Sequence, residues 1–258
     1  ASVGLGGSFL AAPAPVASAA IPAGIPVKGA SALTAHQIAR WFASTKRTAA
    51  VPMTVEQLAA IYLLEGAAEN VRGDLAFAQS VVETGYFGFV GSIVRPENYN
   101  YAGMGACDSC NGGVQFPNTE IGVRAQIQHL KNYADVTSRA SGLHFPPVPE
   151  WYARTTHSPV TAAHNFDIFF AKGRAPSWNQ MGNGNWATAP NYAATVLGVY
   201  NKMLTFNGLP GACPPDGLSV GANAATQCPA SLQSPGRGVA ANGAGRYVLT
   251  GTGGVKVS

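Results

Sequence analysis

Charge is what this sequence has least of: 16 basic and 12 acidic residues make up 11% of 258, against about 25% in an ordinary globular protein. Charge-driven disorder is thereby excluded. The net charge of +4 is mild and no Lys/Arg-rich run occurs, so the footprint of a nucleic-acid binder is missing. Long apolar runs are absent too. The most apolar uncharged segment, Ala11 to Val27, is broken by Pro13, Pro15, Pro22 and Pro26, which excludes a membrane span. Cysteine is scarce, with only Cys107, Cys110, Cys213 and Cys228. Structural zinc needs two close pairs, or a pair with closely spaced histidines, and the 213 to 228 spacing is neither. The histidines His36, His129, His144, His157 and His164 lack the spacing of a metal-binding helix. No metal or other cofactor is expected. A redox Cys-X-X-Cys sits between a strand and a helix, whereas Asn98 to Gly113 is dense in Gly and Asn and reads as loop. The cysteines are therefore read as staples of an oxidising compartment, with local pairing, Cys107 to Cys110 and Cys213 to Cys228, favoured.

Glycine and proline, 31 and 18 residues, crowd the two ends. Residues 1–32 read as a flexible linker or the remnant of a signal peptide. A single folded domain is expected over 33–206, followed by a Gly/Pro/Ala-rich tail over 207–258. Within the domain, Thr34 with Gln37 and Thr54 with Gln57 are capping boxes, flanked by the hydrophobic pairs Leu33/Ile38 and Met53/Leu58. The second box opens a stripe of Val55, Leu58, Ala59, Tyr62 and Leu63, predicting a helix that ends near Glu65, before Gly66. A third helix is bracketed by Gly73-Asp74 and Gly85. Residues 86–117 read as an ordered loop or short strand pair over one face, 119–133 as a helix, 141–190 as short helices joined by loops, and the stretch from Asn191 as a last helix.

Glu83 is the first candidate for chemistry. Turning 100° per residue brings Ala76, Gln79 and Ser80 to its side of the third helix, with Phe77, Ala78 and Val81 opposite. A carboxyl at the end of a buried helix, beside small side chains that leave an open face, has its pKa raised and can donate a proton. Gln79, on the same wedge, is a candidate substrate contact. Tyr86, Phe87, Phe89 and Tyr101 either stack on a substrate's flat face or pack the loop. Glu65, Glu69 and Asp74 could supply a second acid, but the favoured reading is caps or partners of Arg72.

Four ordered blocks carry a resemblance: Glu65 to Gly85, Pro96 to Ala106, Gly122 to Leu130 and Trp186 to Ala193. Together they resemble the glucosaminidase domain of glycoside hydrolase family 73. The resemblance implies a mainly α (α+β), lysozyme-like single domain with a small loop/strand lobe beside the cleft. It implies endo-β-N-acetylglucosaminidase action on the glycan strand of bacterial peptidoglycan, by a protein that is secreted to the cell wall or carried on a phage-type particle. Glu83 matches the family's general acid, and Tyr192 the tyrosine that positions or stabilises the reacting sugar. Asn100 matches the second of an Asn-Asn pair whose first position is Tyr99 here, and it either bonds a substrate amide or fixes the loop. Asp108 is either a second catalytic carboxylate or a turn residue. Substrate assistance by the sugar's own 2-acetamido group is preferred over a second protein carboxylate. The rivals are a muramidase or lytic transglycosylase of the same fold, and a wall-binding module without turnover. The oligomeric state stays open.

Overall fold

The computed structural model describes residues 24–106, 113–148, 159–182, 184–209, 211, 247–250 and 254–257. Asp108, the four cysteines, most of the N-terminal segment and most of the tail lie outside the described residues. The architecture is mainly helical: α1 (Ala35–Ser44), α2 (Val55–Glu69), α3 (Gly73–Glu83), α4 (Thr119–Ala134), α5 (Pro159–Asp167) and α6 (Tyr192–Phe206). A short antiparallel hairpin pairs β1 (Tyr247–Thr250) with β2 (Gly254–Val257). No helix among the described residues is long and apolar enough to cross a membrane.

Both capping boxes form. The hydroxyls of Thr34 and Thr54 each accept from the amide three residues on, at 3.2 Å, while Gln37 and Gln57 accept from the cap amides at 2.9 Å. Helix α2 runs past its expected end, through Gly66 to Glu69, and stops at Asn70 in the left-handed conformation. Gly66 does not end the helix; it lets the chain double back tightly. A Cβ there would lie 2.6 Å from the carbonyl oxygen of Val71, and one on Gly73 would lie 2.2 Å from that of Tyr62. The α2–α3 corner closes only because both side chains are missing.

Helix α3 is the central element, buried at every residue from Gly73 to Val81. It packs between α2 and α6, while α1 and α4 pack on α2. One apolar core runs from Leu33 and Ile38 through Leu58, Phe77 and Phe87 to Val196, Tyr200 and Met203. At about 25 cal/mol per Å², burial of each such side chain contributes about 1.5–3 kcal/mol.

The ordered fold starts earlier than residue 33. Ile25 and Val27 belong to the core. The segment bridges Ser177 through Pro26 and Val71 through Lys28. Asp74 anchors its far end: the buried carboxylate accepts from the amides of Ala32 at 2.7 Å and Leu33 at 3.2 Å, and from the Tyr200 hydroxyl at 2.9 Å. Asp74 therefore ties three chain segments together.

The polar face of α4 is buried against α2. Arg124 donates to both oxygens of Glu65, at 3.0 and 2.7 Å, and to the carbonyl of Phe145 at 2.8 Å. Glu69 accepts from Lys131 at 2.6 Å, from Gln128 at 3.0 Å and from the His144 amide at 2.8 Å. Glu65 and Glu69 are thus partners of α4, where caps or Arg72 pairing were expected.

Between α3 and α4 the lobe takes the loop form, with one 3-10 turn at Pro96–Asn98 and no strand among its described residues. It has a small core of its own in Ala102, Met104, Val114 and Phe116, closed by Ala125 and Val148. Asn100 organises it: the side chain donates to the carbonyls of Met104 and Val114, both at 2.9 Å, and accepts from the Met104 amide at 3.0 Å.

Candidate active site

Glu83 is the last residue of α3, where the negative end of the helix dipole opposes a carboxylate. It meets three other pieces of chain. Tyr192 opens α6, Trp186 lies in the loop before it, and Gly103 comes from the lobe. The Tyr192 hydroxyl donates a short hydrogen bond to Oε1 of Glu83, and the Trp186 indole N–H donates to the same oxygen at 3.1 Å. Oε2 takes no protein hydrogen bond among the described residues and faces Gly103. A Cβ on that glycine would come within 3.3 Å of it, and the glycine's φ is +63°.

This arrangement treats the two carboxyl oxygens differently. Oε1 is saturated as an acceptor by two donors, so when the carboxyl is protonated its proton sits on Oε2, which has no partner among the described residues. Burial pushes the Glu83 carboxyl above its ordinary pKa, and the hydrogen bonds from Tyr192 and Trp186 pull part of the way back. Burial likewise holds the Tyr192 phenol well above its usual range, with the neighbouring Glu83 adding to the effect. Tyr192 is a neutral donor.

Each donor is held in place. Tyr192 accepts from the Gln79 amide at 2.8 Å. The Trp186 ring packs on His129 at 4.8 Å and Tyr133 at 5.9 Å. Burial among rings lowers the His129 pKa to about 3, so the residue backing the tryptophan is uncharged.

The structure brings Glu83, Tyr192 and Gln79 together and takes other expected residues elsewhere. Gln79 is completely buried and bonds only within the protein, so it orients Tyr192 where a substrate contact was expected. Asn100 is 1% exposed and spends its amide on the loop. Phe87 and Tyr101 are core residues, in contact with each other at 6.1 Å; neither has a ring face open for a sugar. Tyr86 is stacked on Trp41 at 6.2 Å with the Arg47 guanidinium over its ring at 4.2 Å. Of the two loop-aromatic alternatives, packing is what these rings do. The cause is the tight turn after α3, where Tyr86, Phe87 and Phe89 all have positive φ and fold the chain back onto the core.

Trp186 and Gly103 were not expected at the site. Trp186 lies six positions before Tyr192 in the same block, Trp186 to Ala193, so the clue was its position; a lone tryptophan otherwise reads as core. Gly103 leaves no side-chain signal at all.

The family described as Glucosaminidase, mannosyl-glycoprotein endo-beta-N-acetylglucosaminidase, matches residues 59–205. That range holds all four site segments. A protein of Borreliella burgdorferi, described as uncharacterized, is 38% identical over 153 residues, covering 59% of this chain and 65% of its own length. No solved structure matches. With the matched range taking in more than half of the sequence, the chain belongs to the glucosaminidase family of mannosyl-glycoprotein endo-β-N-acetylglucosaminidase-like peptidoglycan hydrolases.

Proposed function

We propose that this protein is an endo-β-N-acetylglucosaminidase that cuts the β-1,4 bond on the reducing side of N-acetylglucosamine in the peptidoglycan glycan strand, with Glu83 as general acid. One observation carries the reading: Glu83 holds one oxygen fixed by two neutral donors and leaves the other without a partner among the described residues. A carboxyl so placed, with its pKa raised by burial, keeps its proton closer to neutral pH than an exposed glutamate and delivers it from a defined atom.

The glycosidic oxygen takes the proton from Oε2 as its bond to the anomeric carbon breaks, and the leaving sugar departs as an alcohol. The electron-poor anomeric carbon is captured by the carbonyl oxygen of the sugar's own 2-acetamido group, giving a cyclic oxazolinium intermediate. Water then opens that ring, losing a proton to the Glu83 carboxylate and restoring the acid. Tyr192 and Trp186 stabilise the Glu83 anion that exists between the two steps, because both donate to Oε1. Substrate assistance suits the surroundings: among the described residues Glu83 has no carboxylate neighbour, and Glu65, Glu69 and Asp74 are committed to structural partners. The alternative to substrate assistance is Asp108 as the second carboxylate. Peptidoglycan lies outside the cytoplasm, so the protein would work there, delivered by export or on a phage-type particle.

The test is digestion of purified peptidoglycan with wild type and Glu83→Gln, borohydride reduction, and mass spectrometry of the reducing ends. Reduced N-acetylglucosamine ends that vanish in the variant are expected. Reduced muramic or anhydromuramic ends would replace the reaction by that of a muramidase or lytic transglycosylase, and the absence of products from folded protein would leave a wall-binding module.

A further inference from the structure

The hydrogen bonds around Glu83 continue inward as a single directed chain. The Tyr62 hydroxyl, on α2, donates to Oε1 of Gln126 at 2.7 Å, and the Ser80 hydroxyl lies 2.9 Å from the same oxygen. Nε2 of Gln126, on α4, donates to Oε1 of Gln79 at 2.8 Å; Nε2 of Gln79 donates to the Tyr192 hydroxyl at 2.8 Å; and that hydroxyl donates to Glu83. Tyr62, Ser80, Gln79 and Gln126 are all 1% exposed or less.

An amide can point either way round, so something must choose. Nε2 of Gln126 also donates to the backbone carbonyl of Ala76 at 3.1 Å, and a carbonyl can only accept. Turning the Gln126 amide over would set two oxygens against each other in a dry interior, where an unmade bond costs most. With Gln126 fixed, Gln79 must present its oxygen to Gln126 and its N–H to Tyr192. The phenol, having one proton and already accepting from Gln79, must give that proton to Glu83.

We propose that Gln79 and Gln126 are positioning residues that hold the Tyr192 proton on Oε1 of Glu83, with the Ala76 carbonyl setting the direction of the whole chain. The inference rests on the reading of Glu83 as the acid but concerns how its proton is placed. If the Tyr192 hydroxyl pointed away, Oε1 would keep only the Trp186 donor and could carry the acidic proton, so that part of the protonated population would hold it on the oxygen facing Tyr192 and Trp186. The relay removes that misplaced form. The groups facing Glu83 in the described structure, Tyr192, Trp186 and Gly103, carry no charge, so after burial, the largest influence, the hydrogen bond from the phenol bears most on its titration.

The test is the carboxyl carbon-13 NMR titration of Glu83 in wild type, Gln79→Met, Tyr192→Phe and the double variant, alongside the pH profile of wall digestion. Tyr192→Phe should move the Glu83 midpoint upward, because it removes a donor to the anion. Gln79→Met should move it the same way by less, because it only weakens that donor. The double variant should move no further than Tyr192→Phe alone, because Gln79 acts through Tyr192. In digestion, Gln79→Met should lower plateau kcat about two- to fivefold with KM unchanged, and shift the basic limb to higher pH. An unmoved Glu83 midpoint in folded Gln79→Met, or equal shifts with and without the tyrosine hydroxyl, would overturn the proposal. Should Gln79→Met fail to fold, Gln126→Met, one hydrogen bond further out, carries the same test. The NMR arm needs no turnover, so a relay that behaves as expected in a protein inactive on walls would sink the reaction and leave the relay standing.

Discussion

Replacing Arg124 by methionine should be among the most damaging single changes in this protein, and the damage should be largely reversible by a second change. Arg124 and Glu65 are 7% and 1% exposed at their side chains and share two hydrogen bonds, so removing the guanidinium strands a buried carboxylate. Only His144, 2.9 Å away, remains to it. Breaking such a pair costs about 3–5 kcal/mol, which at about 2–4 °C per kcal/mol for a domain of this size is a fall in Tm of about 6–20 °C. Arg124→Met with Glu65→Leu takes away the stranded charge as well. Most of the loss should return, leaving about 1–2 kcal/mol for the Phe145 carbonyl and His144, which lose their partners. Thermal melts of the four members of the cycle give the coupling directly. A double variant that melts as low as Arg124→Met would refute the stranded-charge argument. The same protein answers a second question. If the folded double variant still digests peptidoglycan, Glu65 has no part in the chemistry; a folded but inactive one would make it the missing second carboxylate.

Two further outcomes follow from the site and its lobe. Because burial raises the Glu83 pKa above its unfolded value, the stability it contributes is present at low pH and lost as pH rises through the folded pKa. Glu83→Gln should therefore gain in Tm relative to wild type as pH increases from the ordinary carboxylate range through the raised pKa of the folded state; a variant that loses ground with rising pH would contradict the sign. Asn100→Ala removes three buried hydrogen bonds from the lobe, at about 1–3 kcal/mol for the groups left unpaired. Amide exchange at Met104 and Val114 should quicken by more than the change in global Tm accounts for, and unchanged exchange there would show the loop held by other means.

The helices were legible where local chemistry decides them. Thr34 and Thr54 mark starts because their caps are settled within a turn of chain. Gly66 misled for the same reason: its use is tertiary, a close approach to Val71 and Gly73 that no local pattern reveals. Residues 24–32 looked like linker by composition, yet two apolar side chains and the bonds to Asp74 suffice to seat them. At the site, the wedge on α3 correctly put Gln79 and Ser80 on the side of Glu83, since helical geometry is periodic. Its inward direction was invisible, because the relay depends on Gln126 from another helix. The aromatics after α3 were ambiguous in sequence, as a stacking ring and a packing ring have the same composition.

The acid at the end of α3 is completed by residues 103 and 109 positions further along the chain. During synthesis, a chain that has been extended just past Glu83 holds the carboxyl but neither of its donors. The indole and the phenol arrive only when the chain has been extended through α6 and that helix has docked on α3. Completion of the hydrogen bonds to Glu83 is thus a late event in the making of the described fold. Unfinished or partly unfolded chains therefore carry the carboxyl without the two donors that hold it in the folded protein.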